Sequence, residues 1–172
     1  MIKLTDVYHQ IIEKHGPYQL AVDMTCGHGY DTLILAKNAS KVIAFDIQKD
    51  ALQSAQNSLK SQNNIEFIHD NHINFEQYIN EGIDVIVYNL GYLPKGSKEI
   101  TTEASSTIQS LKKALPFLNH KGIIVIELYP HNPEEYNLIL DYTKSLQNPY
   151  DVIKIEPYNY QKPPILIIIK KQ

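Results

Sequence analysis

The sequence predicts one α/β domain over residues 1–172, built on a mostly parallel seven-stranded sheet with an antiparallel C-terminal hairpin and helices on both faces. Apolar, β-branched segments of strand length alternate with segments of helical period along most of the chain. The last two strand candidates break this alternation, because the segment between them is rich in proline and lacks a helical pattern. Helical crossovers between parallel strands place helices on both faces of a sheet.

Each element is predicted from its own local pattern. The predicted strands, which share apolar and β-branched residues, are Leu20–Met24, Lys41–Asp46, Ile65–His69, Ile83–Asn89, Ile123–Leu128, Val152–Glu156 and Ile165–Ile169. The predicted helices are Leu4–Lys14, Asp31–Lys37, Lys49–Gln62, Phe75–Asn80, Thr102–Leu118 and Pro133–Leu146. Five βα units followed by an antiparallel hairpin resemble the Rossmann-like class I methyltransferases, in which the seventh strand inserts between the fifth and the sixth.

Composition narrows the class of protein. Apolar residues make up 43% and charged residues 20% of the chain, and the net charge is −3, which argues against non-specific polyanion binding by the whole surface but permits a local basic face. The lone Cys26 cannot form an internal disulfide. Without a signal-peptide pattern or a stretch long enough to cross a bilayer, we expect a cytoplasmic protein with no membrane partner. The histidines lack metal-ligand spacing, so no metal is expected.

The strongest motif follows the first predicted strand, which ends in Asp23 and continues into Gly27-x-Gly29 before a helix. Glycines allow a sharp turn, and a helix N-terminus favours negative charge. A dinucleotide site usually has a third glycine where this chain has Thr32, and a carboxylate at Asp23 would repel a pyrophosphate but attract the ammonium of a methionyl group. Asp31 or Thr32 can cap the helix. An ordinary turn is the alternative interpretation.

Acidic residues end the next two strands. Asp46 stands where Rossmann-type nucleoside sites keep an acid for the ribose hydroxyls, and its alternative role is a cap for the helix that begins at Lys49. After the third strand, Asp70 is the candidate for an adenine amino group, with a turn or helix cap as the alternative. For His69, a solvated or core histidine is the favoured interpretation.

The fourth strand leads into Asn89-Leu90-Gly91-Tyr92, a segment too apolar for a routine surface loop. It is analogous to the Asn-Pro-Pro-Tyr loop of amino-group methyltransferases, where the Asn amide oxygen and a backbone carbonyl accept hydrogens from the target amine. Asn89, Leu90 and Tyr92 are therefore the candidate catalytic residues, with a left-handed turn at Asn89 as the alternative. His72 or His131 is a candidate to receive a proton.

Several of these motifs together resemble a family of small rRNA methylase-like methyltransferases associated with the wobble uridine of tRNA. The segments that carry the resemblance are Asp23–Leu33, Ala44–Gln48, Asp70–His72, Asn89–Pro94, Ile100–Thr102 and Lys162–Leu166. The chain departs from the family pattern at His28 and Tyr30, where Asn and His are usual, and at Pro130–Asn132, where Gly-His follows the tyrosine.

The resemblance implies S-adenosylmethionine (SAM) as cofactor and methyl transfer to the exocyclic amine of 5-aminomethyl-2-thiouridine, giving 5-methylaminomethyl-2-thiouridine. From the motifs and this resemblance together, the predicted cofactor-binding residues are Asp23, Thr25, Gly27, His28, Gly29, Asp31, Thr32, Asp46, Ile47, Gln48, Asp70, His72 and Asn89. The segment Asn89–Pro94 would form the substrate-side loop.

The predicted partner is a tRNA anticodon arm, and a homodimer is compatible with the sequence. Lysines expected near one rim, and tyrosines available for base stacking, are the candidate RNA contacts: Lys95, Lys98, Lys112, Lys121, Tyr92, Tyr129 and Tyr160. The alternatives are a methyltransferase for rRNA or for a small amine or hydroxyl compound, a non-catalytic SAM-binding module, and a dehydrogenase.

Overall fold

The protein is a seven-stranded sheet between two layers of helices. The computed structural model describes residues 3–91 and 104–172. The helices are α1 (Leu4–His15), α2 (Tyr30–Asn38), α3 (Lys49–Ser58), α4 (Ala104–Phe117) and α5 (Pro133–Ser145), with a 3₁₀ helix at His72–Gln77. The strands are β1 (Tyr18–Asp23), β2 (Ala39–Asp46), β3 (Ile65–His69), β4 (Ile83–Asn89), β5 (Leu118–Leu128), β6 (Tyr150–Ile155) and β7 (Ile165–Lys171).

The strand order is β3-β2-β1-β4-β5-β7-β6. Strands β1 to β5 pair in parallel, whereas β7 pairs antiparallel with both β5 and β6. The predicted C-terminal hairpin is confirmed, and β7 inserts between β5 and β6 as the resemblance to class I methyltransferases implied.

The two faces of the sheet carry separate apolar layers, because successive side chains of a strand point to opposite sides. Val42, Val85 and Val125 belong to the cluster that includes the buried side chains of α1 and α2. Ile43 and Ile86 belong to the other cluster, which includes buried side chains of the 3₁₀ helix, α4 and α5. Both faces are thus covered, as a parallel sheet requires.

The structure corrects the bounds of several predicted elements. The helix predicted at Phe75–Asn80 is a 3₁₀ helix that begins at His72, because the Asn71 side chain accepts a hydrogen bond from the Ile73 N–H and tightens the first turn. Helix α3 ends at Ser58 rather than Gln62.

Strand β5 begins at Leu118, not at Ile123, and the helix predicted over Thr102–Leu118 ends at Phe117. Leu118 pairs with Ile83 before a register shift. Residues 119–121 are polar and Lys121 has a positive φ of 64°. Because the apolar pattern is interrupted there, the sequence did not indicate that the strand begins at Leu118. Thr102 lies outside the described residues.

Candidate functional site

Four polar side chains lie at or next to the carboxyl ends of four neighbouring parallel strands, on one face of the sheet. In sheet order they are Asp46 of β2, Asp23 of β1, Asn89 of β4 and Glu127 of β5. Every second side chain of a strand lies on the same face of the sheet. The polar residues are two or four positions after Val42, Ala21, Val85 and Val125, which pack in the cluster with α1 and α2. All four polar residues therefore lie on the face covered by these helices, the α1/α2 face. The order of strands reverses direction between β1 and β4, and ligands of doubly wound sheets bind outside the carboxyl ends of the strands at that position.

The loop after β1 needs its glycines. Gly27 and Gly29 have φ values of 52° and 83°. A Cβ on Gly29 would lie 2.9 Å from Leu59 Cδ1 and 3.0 Å from Ala55 Cβ, so α3 packs directly against the loop. The Gly27 N–H donates to Asp46 Oδ2 at 2.7 Å, which joins the loop to the end of β2. His28 is exposed at the tip.

Asp23 holds this loop from beneath. It is fully buried, with Oδ1 accepting from the Thr25 N–H at 3.0 Å and Oδ2 accepting from the Thr32 hydroxyl at 2.6 Å. Burial, followed by the negative charge of Asp31, raises the pKa of Asp23. The expectation that Asp31 or Thr32 caps α2 is wrong, because Gly29 is the N-cap and no side chain caps it.

Asp46 is half-buried and fixed by two backbone donors. Oδ2 accepts from Gly27, and Oδ1 accepts from the Gln48 N–H at 2.8 Å. The alternative role of Asp46 as a cap of α3 is not realised, because Gln48 is the N-cap and no side-chain cap bond is present. Each carboxylate oxygen keeps a further lone pair, so Asp46 can still accept two hydroxyl groups. Ile47 contributes its carbonyl, which accepts from His69 Nε2 at 3.1 Å.

Asp70 is engaged by its own 3₁₀ helix. The carboxylate accepts from the Asn71 N–H at 2.7 Å, from Asn74 Nδ2 at 3.0 Å and from the Tyr78 hydroxyl at 2.8 Å. Burial acts against the charged form, but these bonds outweigh it and lower the pKa of Asp70. The alternative turn role is therefore realised, and contact with an adenine stays a prediction.

His72 is a buried histidine on the opposite face from Asn89. It is 4% exposed, and its ring lies edge-to-face with Tyr88 at a centroid distance of 5.7 Å. Within residues 3–91 and 104–172, neither ring nitrogen has a hydrogen-bond partner. Burial lowers the pKa of His72 to about 4. A ring in this position is a poor candidate for receiving a proton near Asn89.

Asn89 is the most closely held of the predicted catalytic residues. Its backbone N–H donates to Thr25 Oγ1 at 2.8 Å, and its side-chain Nδ2 donates to Asp31 Oδ2 at 3.0 Å and to Tyr8 Oη at 3.3 Å. The left-handed alternative is not realised, because Asn89 is absent from the positive-φ residues of the described chain. Leu90 is buried, and its N–H donates to the Glu127 carbonyl at 3.0 Å. Tyr92 lies outside the described residues.

Sequence reasoning missed the contribution of α1. Thr5, Tyr8 and His9 share one face of this helix by their spacing and reach the carboxyl ends of the strands. Thr5 Oγ1 donates to Glu127 Oε2 at 2.9 Å, and Asp31 Oδ1 lies 2.8 Å from Tyr8 Oη and 2.6 Å from His9 Nε2. Burial raises the pKa of Glu127. An acid inside an otherwise apolar strand was the available signal for Glu127.

Of the lysines expected near one rim, the structure describes Lys112 and Lys121. Lys121 lies near the start of β5, at the amino edge of the sheet, while Lys112 Nζ stands 5.2 Å from the ring centroid of Tyr142. Lys95 and Lys98 lie outside the described residues. Two of the predicted tyrosines lie at the carboxyl edge of the sheet. Tyr129 directly follows β5, and Tyr160 lies in the β6–β7 connection.

The sequence matches one protein family over most of its length. The model of the "Putative rRNA methylase" family matches residues 42–170, which is most of the chain. The chain belongs to this family. Within the part of the chain that the structure describes, no helix of this rRNA methylase family member has the length and apolarity needed to cross a membrane.

Individual relatives agree with the family. A "tRNA (mnm(5)s(2)U34)-methyltransferase, chloroplastic" of Arabidopsis thaliana is 29% identical over 99% of this chain and 70% of its own length. A "putative methyltransferase from streptococcus mutans", crystallised with SAH, has a TM-score of 0.94 and 30% identity and covers 100% of this chain and 99% of its own. A "putative rRNA-methylase" from Clostridium thermocellum has a TM-score of 0.93 and 32% identity over 100% of both chains.

This rRNA methylase family member is a SAM-dependent methyltransferase, and SAM is its cofactor. The residues present fit such a group. Two positive-φ glycines form the bend at the switch point, and half-buried Asp46 retains acceptor capacity for a pair of hydroxyls. The non-catalytic binding module and the dehydrogenase are thereby rejected.

Proposed function

We propose that this protein methylates the exocyclic amine of 5-aminomethyl-2-thiouridine at the wobble position of tRNA, giving 5-methylaminomethyl-2-thiouridine. The proposal joins the name of the Arabidopsis relative to the geometry of Asn89. The family match also supports the more general activity, methyl transfer to RNA.

The observation that most directly supports this proposal is the fixed orientation of the Asn89 amide. Its nitrogen is committed to Asp31 and Tyr8, so the polar atom left for a ligand is Oδ1. This oxygen lies 3.4 Å from the position that a Cβ on Gly91 would occupy, on the side of the chain that continues beyond β4. An amide oxygen accepts a hydrogen from an amine and thereby directs the nitrogen lone pair.

On the cofactor side, we assign the nucleoside to Asp46 and the 3₁₀ helix, and the methionyl group to the loop between Gly27 and Thr32. SAM supplies a methyl group on a positively charged sulfur. Asp46 would accept the ribose hydroxyls, Ile47 and Gln48 would line the base, and the Asp70–His72 segment would border the adenine. Buried Asp23 would shape this loop through its hydrogen bonds with the Thr25 N–H and the Thr32 hydroxyl.

The carboxylates also suit a substrate that carries an amine. Asp23, Asp31 and Glu127 are buried on the same face as Asn89. A cationic group beside them would favour the ionised forms of Asp23 and Glu127, whose pKa burial raises. The attacking nitrogen must be neutral, so we expect methyl transfer to rise with pH until the amine is unprotonated. No covalent bond between enzyme and substrate is required.

The test is methyl transfer to defined RNA. Purified protein is incubated with labelled SAM and with tRNA that carries either the aminomethyl or the unmodified wobble uridine, and the nucleosides are analysed by mass spectrometry. We expect one added methyl on the aminomethyl nucleoside alone. Transfer only to rRNA, or only to small amines, would reject the tRNA assignment.

Two variants separate binding from transfer. Asp46→Ala should abolish SAM binding measured by calorimetry, whereas Asn89→Ala should leave SAM binding within a few-fold of wild type and lower the transfer rate by roughly 100-fold. Normal turnover by Asn89→Ala would contradict the assigned role of Asn89.

The RNA partner is proposed to be the anticodon arm, stacked on tyrosines at the carboxyl edge. Tyr158 and Tyr160 in the β6–β7 connection are 102% and 45% exposed, and Lys162 follows them. Exposed aromatic rings beside a cation are typical of surfaces that bind unpaired bases. The cytoplasmic location and the homodimer stay predictions.

A further inference from the structure

Helix α1 places a tyrosine and a histidine against the group that we assign to the substrate side. The Asn89 network consists of Tyr8, His9, Asp31 and Asn89. Tyr8 is fully buried and Asp31 is 6% exposed, whereas His9 and Asn89 are half-buried at the side that faces the carboxyl ends of the strands. All four residues lie on the α1/α2 face, where α1 contacts both α2 and β5.

The contacts of Tyr8 and Asp31 define which atom of the Asn89 amide faces them. The single hydroxyl hydrogen of Tyr8 is donated to Asp31 Oδ1 at 2.8 Å. The Tyr8 oxygen can then only accept from Asn89, at 3.3 Å. Asp31 Oδ2, at 3.0 Å, likewise requires a donor. Both contacts therefore favour the rotamer in which the amide nitrogen of Asn89 faces Tyr8 and Asp31 and the amide oxygen points away from them.

We propose that Tyr8 is a positioning residue for methyl transfer, acting through Asp31 and Asn89 to hold the Asn89 amide in the orientation that presents Oδ1 to the substrate amine. This inference rests on the proposed function of Asn89. His9 contributes by binding Asp31 Oδ1 at 2.6 Å, which fixes the carboxylate to which both Tyr8 and Asn89 donate.

A chain of hydrogen bonds makes this orientation stronger than either contact alone, because each donor polarises the next. Without Tyr8 Oη, one hydrogen of the half-buried Asn89 amide loses its protein partner, and the flipped rotamer becomes more accessible. In that flipped state the amide nitrogen faces the amine and cannot accept its hydrogen. The effect should therefore appear in turnover, not in cofactor affinity.

The variant Tyr8→Phe tests this directly, because it removes only the hydroxyl. We expect kcat on the aminomethyl tRNA to fall about 10-fold, as for loss of one hydrogen bond, while the Kd for SAM changes less than twofold. The matched control is Tyr18→Phe, which removes a buried hydroxyl that donates to the Ile12 carbonyl of α1 outside the network. Equal losses of kcat in the two variants would overturn the proposal.

A double-mutant cycle separates positioning from general structural damage. If Tyr8 acts through Asn89, Tyr8→Phe should cause no further loss of kcat in the Asn89→Ala background. An additional 10-fold loss in that background would contradict the proposal.

Hydrogen exchange of the Asn89 amide can be measured without substrate, so it tests the positioning role of Tyr8 separately from the proposed function. In protein labelled with ¹⁵N-asparagine, the side-chain signal that disappears in Asn89→Ala should exchange slowly with solvent in wild type and rapidly in Tyr8→Phe. Failure of wild type to methylate the tRNA would reject the proposed function alone. Unchanged exchange in Tyr8→Phe would reject the positioning role whatever the substrate.

Discussion

The buried imidazole of His72 makes the stability of this methyltransferase depend on pH in a calculable way. Its ring nitrogens have no partner among residues 3–91 and 104–172, and burial lowers its pKa from 6.5 to about 4. The unfolded chain therefore takes up a proton on His72 at a higher pH than the folded protein does. Between these two values the unfolded state binds more protons, so stability falls as the pH is lowered through this window.

The size of the effect follows from the same two values. The gap from 6.5 to about 4 corresponds to about 3 kcal/mol of unfolding free energy at low pH, at about 1.36 kcal/mol per pH unit. About 2 kcal/mol of this is expected to be lost between pH 7.5 and pH 5. The variant His72→Phe keeps a ring beside Tyr88 and removes the titrating group.

The assay is urea unfolding of wild type and His72→Phe at a series of pH values. The difference between their unfolding free energies should shift by about 2 kcal/mol in favour of the variant from pH 7.5 to pH 5. His120→Asn, which replaces an exposed histidine, is the control for the loss of a histidine as such. Parallel curves for wild type and His72→Phe would refute the reasoning about His72.

Three further outcomes are expected. Gly29→Ala should cost about 2 kcal/mol of stability, because its Cβ would meet α3 at a positive φ, whereas Gly16→Ala, with contacts of 3.4 Å or more, should cost less than about 1 kcal/mol in the same urea assay. Thr32→Val should cost about 2 kcal/mol by removing a donor to Asp23, and Thr32→Ser should restore most of it. Tyr158→Ala should weaken tRNA binding severalfold in a filter assay while leaving SAM affinity unchanged.

Much of the site could be predicted because strand ends carry their own signal. Asp23, Asp46 and Asn89 each follow an apolar run, and the alternating pattern placed those runs in one parallel sheet. Carboxyl ends of parallel strands meet at one edge, so the three residues had to converge. The inserted position of β7 came from the resemblance, not from the pattern itself.

The contribution of α1 could not be predicted in this way. Tyr8 and Asn89 are 81 positions apart, and a helix contains polar residues on its outer face as a matter of course. Only the packing angle of α1 decides that Tyr8 and His9 point inward. The polar start of β5 was missed for a related reason, since its pairing with Ile83 depends on the neighbouring strand.

The place of β7 in the sheet has a consequence for how the molecule can be shortened. Among the strands that the structure describes, β6 pairs only with β7, and β7 in turn pairs with β5 along the register from Ile123 to Leu128. Removal of residues 165–171 would therefore detach β6 as well and bare the backbone of β5 next to Glu127. Deletion of this segment should therefore promote aggregation through the uncovered edge of β5.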